Sequence, residues 1–206
     1  MIIASIDKHP IIRKGLGLFL QEQFENAVLL ESENYESFIK SFGESRPDLF
    51  ILGFAEESNI CESEIVRLVK EKMPDTPVVV YDGEPRYQMA VYSMIAGASA
   101  YLVKNSCLTE LVKCIESVIC GKRYLSDDVM DILLKQCMKA TLAYERIALL
   151  SEEELITARL ICQGLPSEEI ATMRSRKISA INRQKLNIYK KLELTNVVEL
   201  SNLILS

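Results

Sequence analysis

Short apolar runs alternate with helical patterns through residues 1–121. Each run is four or five residues long and ends at a charged residue or a glycine. The segments between the runs carry apolar residues at three- and four-residue spacing, which is typical of helices with one buried face. The predicted strands are residues 2–6, 27–30, 49–52, 78–81 and 100–103. Five such strands alternating with helices predict an α/β fold, in which helices cover both faces of a doubly wound parallel sheet.

A helical pattern without strand signals follows this half. Residues 122–148 are predicted to be a linker with its own helix. Residues 149–206 are predicted to form a separate all-α domain of four helices. Ser151 and Glu154 have the spacing of a capping box at the first of these helices. Thr195 is a candidate cap for the last one.

The stretch of residues 172–192 is strongly basic. It contains seven Lys or Arg and no Asp or Glu, although the whole chain has a formal net charge of −5. Such local charge separation indicates a polyanionic partner, with nucleic acid as the first candidate. A solvated helix face without a partner is the other interpretation, and charge alone does not separate the two.

Composition excludes several classes of protein. The chain is 49% apolar and 26% charged, as in an ordinary folded protein. No apolar run approaches the ~20 residues that a membrane span needs, and the N-terminus lacks the pattern of a signal peptide. We therefore expect a cytoplasmic protein without a membrane partner.

The cysteines and the single histidine do not form a metal-binding motif. None of the six cysteines is spaced C-x-x-C and His9 is the only histidine, so we predict no metal site. Cys107, Cys114 and Cys120 are either buried helix cysteines, which we favour, or a redox sensor. The chain also lacks a nucleophile–base pair and a glycine-rich nucleotide motif, so we predict neither an enzyme nor a bound cofactor.

Two parts of the chain resemble known families. Residues 150–171, LSEEELITARLICQGLPSEEIA, resemble the start of a helix-turn-helix domain of the NarL/LuxR type. Residues 6–10 (IDKHP), 47–52 (PDLFIL) and 97–104 (GASAYLVK) resemble the receiver domain of response regulators. Together the two resemblances cover almost the whole chain. They imply a receiver-like sheet with the flavodoxin-like strand order, followed by a DNA-binding domain.

The receiver-like part departs from the family where phosphate would be accepted. The family's third strand ends in the Asp that accepts phosphate, and this chain has Gly53 there. Of the two acids that help bind Mg²⁺, one survives as Asp7 and the other is replaced by Lys8. Asp82 replaces the hydroxyl residue of the fourth strand, whereas the lysine of the fifth strand survives as Lys104. The resemblance therefore implies a degenerate receiver that a kinase does not phosphorylate.

Three interpretations of this degenerate pocket are open at this point. In the first, Asp82 forms a fixed ion pair with Lys8 or Lys104 and mimics one switch state without phosphate. In the second, these residues are remnants without a shared role. In the third, Asp7 and Asp82 still bind a cation.

The resemblance assigns the basic stretch to the helix that enters the major groove. Ungapped alignment with the family places Asn182, Arg183 and Leu186 at positions that face base edges. Four lysines are expected to contact phosphates: Lys177, Lys185, Lys190 and Lys191. Arg174 and Gln184 depart from the family's usual apolar residue and His. A local shift of one residue would therefore move these assignments by one position.

These features predict a transcription regulator with a degenerate receiver at residues 1–121, a linker at 122–148 and a DNA-binding domain at 149–206. We expect it to act independently of phosphorylation. We also expect it to bind double-stranded promoter DNA as a homodimer, because paired helix-turn-helix units read paired half-sites. The alternative is an auxiliary co-regulator or antagonist that forms a heterodimer with another transcription regulator, for which the acidic net charge leaves room.

Overall fold

The computed structural model describes residues 1–55 and 63–205, so Cys61 lies outside the described residues. The chain divides into two compact units, Met1–Leu134 and Lys135–Ser206. None of the helices in the described residues combines the length and the apolar character that crossing a membrane requires.

The first unit is built on a parallel sheet in which six strands are described, one more than predicted. The strands are β1 (Ile2–Ile6), β2 (Val28–Ser32), β3 (Leu49–Gly53), β4 (Val78–Asp82), β5 (Ala100–Val103) and β6 (Tyr124–Leu125). Their order is β2-β1-β3-β4-β5-β6, and every neighbouring pair is parallel. The prediction of five strands was wrong because β6 has only two residues, which is too short for an apolar run to be recognised.

Helices cover both faces of this sheet. They are α1 (Pro10–Gln23), α2 (Tyr35–Phe42), α3 (Glu64–Lys72), α4 (Tyr87–Ile95) and α5 (Leu108–Ile119). Successive residues of a strand point to opposite faces, so Phe50 and Leu52 join one buried core while Ile51 joins the other. The continuous apolar runs of the sequence therefore reflect two separate cores rather than one.

A long helix follows the sheet. It is α6 (Asp127–Ile147), which begins in the first unit and ends in the second. Val129 in its first turn is fully buried in the core of the first unit. This helix accounts for the helical pattern of the predicted linker, residues 122–148, although β6 also lies within that range.

The second unit contains four further helices around one core. They are α7 (Glu152–Cys162), α8 (Ser167–Met173), α9 (Ile178–Lys191) and α10 (Val197–Leu205). The predicted capping box is present at α7, because Ser151 Oγ accepts from the Glu154 N–H and Glu154 Oε2 accepts from the Ser151 N–H. At α10 the predicted cap was one residue off. Asn196 Oδ1 accepts from the Glu199 N–H at 2.9 Å, while the Thr195 N–H and hydroxyl donate to the Glu199 carboxylate.

The turn between α8 and α9 is closed by backbone hydrogen bonds. The Arg176 N–H donates to the Ala171 carbonyl at 2.9 Å, and the Ser175 N–H donates to the Thr172 carbonyl at 3.2 Å. Ser175 has a φ of 50°, the left-handed conformation that this type of helix ending requires. The turn therefore sends the chain from α8 into the basic helix α9 within a few residues.

Candidate nucleic-acid interface and strand-end pocket

The carboxyl ends of the central strands bring Asp7 and Lys104 together. Asp7 follows β1 and Lys104 follows β5, and both side chains are largely buried. Lys104 Nζ lies 2.6 Å from Asp7 Oδ2 and donates a second hydrogen bond to the Phe54 carbonyl at 2.7 Å. A buried ammonium and a buried carboxylate thus compensate each other at the place where the family carries out phosphate chemistry.

The second oxygen of the Asp7 carboxylate is also occupied. Asp7 Oδ1 accepts from the His9 N–H at 2.8 Å and lies 2.9 Å from His9 Nδ1. Arg13 also donates to the Asp7 carbonyl, so several hydrogen bonds fix the loop after β1. His9, the only histidine of the chain, therefore holds Asp7 in place.

Gly53 gives the Asp7 side chain the room that it occupies. Residues of β1 and β3 pair side by side, which places the end of β3 against Asp7. A Cβ atom on Gly53 would stand 2.0 Å from Asp7 Oδ2 and 2.5 Å from its Cγ atom. Asp7 thus fills the volume that an acceptor side chain at position 53 would need.

Asp82, at the end of β4, has a different set of partners. Its carboxylate accepts from Arg86 Nη2 at 2.7 Å and from Arg86 Nε at 3.0 Å, and the Tyr101 hydroxyl donates to it as well. The Gly83 N–H donates to it at 2.7 Å. Burial and then the hydrogen bond to Asp82 raise the pKa of Tyr101 above its ordinary range, so this hydroxyl keeps its proton and acts as a donor.

These contacts correct the predicted ion pair of Asp82 with Lys8 or Lys104. The salt-bridge partner of Asp82 is Arg86, and that of Lys104 is Asp7. Arg86 was not among the residues predicted for this pocket. Its position four residues after Asp82 was the available signal, since an acid at a strand end and a base at the following helix start lie close in space.

The residues of this pocket do not fit the Mg²⁺ ion of the family. Hard cations bind free carboxylate oxygens, whereas the oxygens of Asp7 and Asp82 are held by Lys104, His9, Arg86 and N–H donors. In the described residues, three or more His, Cys, Asp or Glu side chains do not come together as a cation site would require. The interpretation in which Asp7 and Asp82 share a cation is thus not favoured by the geometry.

Helix α9 separates a buried face from an exposed one. Ile181 and Ile188 are buried in the core of the second unit. The opposite side is exposed and carries Asn182, Arg183, Leu186 and Lys190. These residues lie at three- and four-residue spacing and therefore form one stripe along the helix. Lys177 is exposed just before the first turn of α9.

The remaining cations of the basic stretch have intramolecular partners. Lys191 Nζ lies 2.6 Å from Glu154 Oε2. Arg174 Nη2 and Arg176 Nη2 lie 2.7 Å and 3.5 Å from Glu153 Oε2. Lys185 Nζ stands 5.9 Å from the centre of the Tyr189 ring. Within the basic stretch of residues 172–192, the cations without a salt bridge are Lys177, Arg183, Lys185 and Lys190.

A receiver-like parallel sheet followed by a helical unit with an exposed basic helix is the architecture of NarL/LuxR-type response regulators, which this chain resembles. The comparisons with curated proteins agree. Response regulator GacA of Pseudomonas aeruginosa is 26% identical over 199 residues, 97% of this chain and 92% of GacA. Transcriptional regulatory protein YdfI of Bacillus subtilis is 24% identical over 192 residues, 92% of this chain and 88% of YdfI. The resemblance to NarL/LuxR-type response regulators is therefore confirmed. No family model matches the chain.

Solved structures show the same fold. RcsB of Salmonella enterica serovar Typhimurium, bound to promoter rprA in the presence of the phosphomimetic BeF3⁻, superposes with a TM-score of 0.55 at 22% identity. The alignment covers 99% of this chain and 98% of RcsB. In another structure two RcsB dimers are bound to two parallel DNAs, with a TM-score of 0.56 at 22% identity, covering 100% of this chain and 98% of that one.

Proposed function

We propose that this protein is a transcription regulator that binds double-stranded promoter DNA through α9, as a homodimer, without being phosphorylated. The observation that carries the proposal is the exposed stripe of α9. Asn182 and Arg183 suit adenine and guanine edges by bidentate hydrogen bonding, and Leu186 offers an apolar contact. Lys190 extends the stripe towards a phosphate backbone.

The internal salt bridges narrow the set of phosphate contacts. Lys177, Lys185 and Lys190 remain the candidates, since their ammonium groups make no salt bridge within residues 135–205. Lys191 was also expected to contact phosphate, but its ammonium group lies against Glu154. It would have to leave this carboxylate to do so, and we therefore assign it a smaller share of the affinity.

Independence from phosphorylation is supported by the strand-end pocket. Gly53 offers no acceptor oxygen, and the side chain of Asp7 fills the adjacent space. Lys104 and His9 hold the Asp7 carboxylate from both sides. The pocket therefore has an internal anion in direct contact with Lys104, which takes the place that an added phosphoryl group would occupy beside this lysine.

Binding as a dimer is supported by what the relatives do. RcsB binds DNA as dimers, and two copies of a helix-turn-helix unit read two half-sites about one helical turn apart. We therefore expect a bound sequence with two related half-sites.

The DNA-binding proposal is tested by selecting bound sequences from a random duplex pool with the full-length protein. An Arg183→Ala variant is expected to bind the selected sequence less tightly by about 1–3 kcal/mol and to discriminate less at one base pair. Arg159→Ala removes an exposed arginine from α7 and serves as the charge-matched control. Recovery of no enriched sequence, with affinity equal for all duplexes, would contradict the proposal.

Phosphorylation independence has its own test. The protein is incubated with acetyl phosphate and Mg²⁺ and analysed by intact mass spectrometry, beside a phosphorylatable relative as positive control. We expect unchanged mass and unchanged DNA affinity. A phosphorylated product that binds DNA more tightly would overturn this part of the proposal and leave DNA binding itself intact.

The alternative function is that of an auxiliary co-regulator that pairs with another transcription regulator. The observation in its favour is that Glu153 and Glu154 neutralise part of the basic stretch. The Arg183→Ala variant separates the two functions in cells. Lost regulation with retained partner binding favours DNA readout, whereas unchanged regulation favours the co-regulator.

A further inference from the structure

Thr157 connects α7 to α9 and to the turn that precedes α9. It lies in the middle of α7 and is fully buried. Its Oγ1 atom lies 3.0 Å from two acceptors, Gln184 Oε1 on α9 and the Glu153 carbonyl one turn earlier in α7, which share its single proton. The same atom accepts a hydrogen bond from Arg174 Nη1, also at 3.0 Å. One hydroxyl group thus contacts both residues that depart from the helix-turn-helix family's usual apolar residue and His.

Arg174 is held as a structural residue rather than as a surface cation. Its side chain is 13% exposed, and its Nη1 and Nη2 atoms donate to the Glu153 carbonyl at 2.8 Å and to the Glu153 carboxylate at 2.7 Å. Arg176, two residues further on, is 59% exposed and only touches the same carboxylate at 3.5 Å. The two arginines of the turn therefore differ in environment although they share an acidic partner.

The network acts on the rotation of α9 about its own axis. The buried contacts made by Ile181 and Ile188 are apolar, and apolar packing is non-directional. Gln184 lies between them in sequence, and its hydrogen bond to Thr157 has a preferred length and angle. A rotated α9 would break the contact between Thr157 and Gln184, so the Thr157 hydroxyl would keep only the Glu153 carbonyl as an acceptor and the Gln184 side chain would lose its buried partner.

We propose that Thr157 is a positioning residue that sets the orientation of α9 through its hydrogen bonds with Gln184 and Arg174. The rotation of α9 about its axis decides whether Asn182 and Arg183 point outward. These hydrogen bonds therefore determine which side chains of α9 face the DNA. The proposal rests on the proposed DNA-binding function for its effect on affinity, but its effect on helix orientation is independent of DNA.

The test compares Thr157→Val with Thr157→Ser in the full-length protein. Valine keeps the shape of threonine and removes the hydroxyl group, whereas serine keeps the hydroxyl group. Because Thr157 is buried, neither variant changes a group that touches DNA. Arg176→Ala is the control for loss of a turn arginine that lies outside the network.

Two readouts are measured for each variant. The angle between α7 and α9 is obtained from residual dipolar couplings of their backbone amides. The affinity for the selected duplex is measured over a range of salt concentrations, because a lost phosphate contact lowers the slope of log K against log salt by about 0.9.

We expect Thr157→Val to change the α7–α9 angle and to weaken DNA binding tenfold or more without a change of salt slope. Thr157→Ser should keep the wild-type angle and an affinity within a few-fold of wild type. An unchanged angle in Thr157→Val, or an equal loss of affinity in Thr157→Ser, overturns the proposal. If wild-type protein binds no DNA but the angle changes in Thr157→Val alone, the positioning role stands and the proposed DNA-binding function fails.

Discussion

The side chain of Asp7 occupies the space that any side chain at position 53 would need, and Gly53 leaves this space free. The carboxylate of Asp7 lies where a side chain on Gly53 would have to start, since a Cβ atom there would stand 2.0 Å from Asp7 Oδ2. The same carboxylate accepts a hydrogen bond from Lys104 at 2.6 Å. The position of the Asp7 side chain therefore depends on the absence of a side chain at Gly53. An acceptor residue at position 53 would require Asp7 to move.

The first prediction tests this exclusion by a double-mutant cycle. Gly53→Ala should lower the free energy of unfolding by about 1–3 kcal/mol, because the added methyl group displaces a packed side chain. In an Asp7→Ala background the same substitution should cost much less, since the obstructing carboxylate is gone. The measurement is urea denaturation followed by circular dichroism, and the coupling between the two substitutions is the quantity of interest.

Gly15→Ala is the matched control for the cycle. Apart from its chain neighbours and the backbone of its own helix, no atom of the described residues lies within 4 Å of the place where its Cβ would stand, and Gly15 lies inside α1. This substitution should stabilise the protein by about 0.5–1 kcal/mol. Equal costs of Gly53→Ala with and without Asp7 would show that the two residues do not compete for space.

The second prediction concerns the buried pair of Asp82 and Arg86. Arg86→Ala should destabilise the protein by about 3 kcal/mol, because the carboxylate of Asp82 would stay buried without its cation. Arg67→Ala is the control, since Arg67 is 62% exposed in its ion pairs with Glu64 and Glu71. Its loss should cost less than about 1 kcal/mol. The free energy of unfolding is measured by urea denaturation for both variants. Equal losses of stability in Arg86→Ala and Arg67→Ala would contradict the prediction that the buried Asp82–Arg86 pair matters more than the exposed pairs.

The third prediction concerns pH and the capping residue of α7. The hydrogen bond from Lys191, followed by that from the Ser151 backbone, lowers the pKa of Glu154 below its ordinary value of 4.5. A lowered pKa in the folded state contributes stability that is fully present above the unfolded pKa and is lost as pH falls through the folded value. The difference in unfolding free energy between wild type and Glu154→Gln should therefore shrink as pH falls from about 6 to about 3.

This difference is measured by native-state hydrogen exchange at the amides of α7, which reports on the second unit by itself. Glu152→Gln is the control for removing one carboxylate from the same turn, because Glu152 is exposed. A difference between wild type and Glu154→Gln that stays constant across this pH range would refute the role of the charged Glu154–Lys191 pair.

The fourth prediction concerns the left-handed residue in the turn before α9. Ser175 has a φ of 50°, which strains a side chain but not glycine. Ser175→Gly should raise the free energy of unfolding of the second unit by about 0.5–1 kcal/mol. Ala140→Gly, at an exposed position inside α6, should instead cost about 1 kcal/mol. Both stabilities are measured by native-state hydrogen exchange. Destabilisation by Ser175→Gly as well as by Ala140→Gly would contradict the prediction.

Most helices and strands could be predicted from the sequence because their signals are local. The strands from Ile2–Ile6 to Ala100–Val103 are apolar runs long enough to be recognised, and the capping box of Ser151 and Glu154 spans only four positions. Two short features were not predicted, the two-residue strand Tyr124–Leu125 and the cap at Asn196. A pattern of two residues has no measurable period, and neighbouring Thr and Asn are both good caps.

By itself the sequence determined the parallel sheet, the helical second half, the absence of an acceptor at Gly53 and the basic character of α9. Each of these follows from residue identity or from spacing along the chain. Only the tertiary structure decided the partners: Lys104 with Asp7, Arg86 with Asp82, and Arg174 and Gln184 with Thr157. Which charges and hydroxyl groups meet depends on strand register, on the volume left by a missing side chain and on helix packing. These are set by contacts between distant residues that the order of the chain does not display.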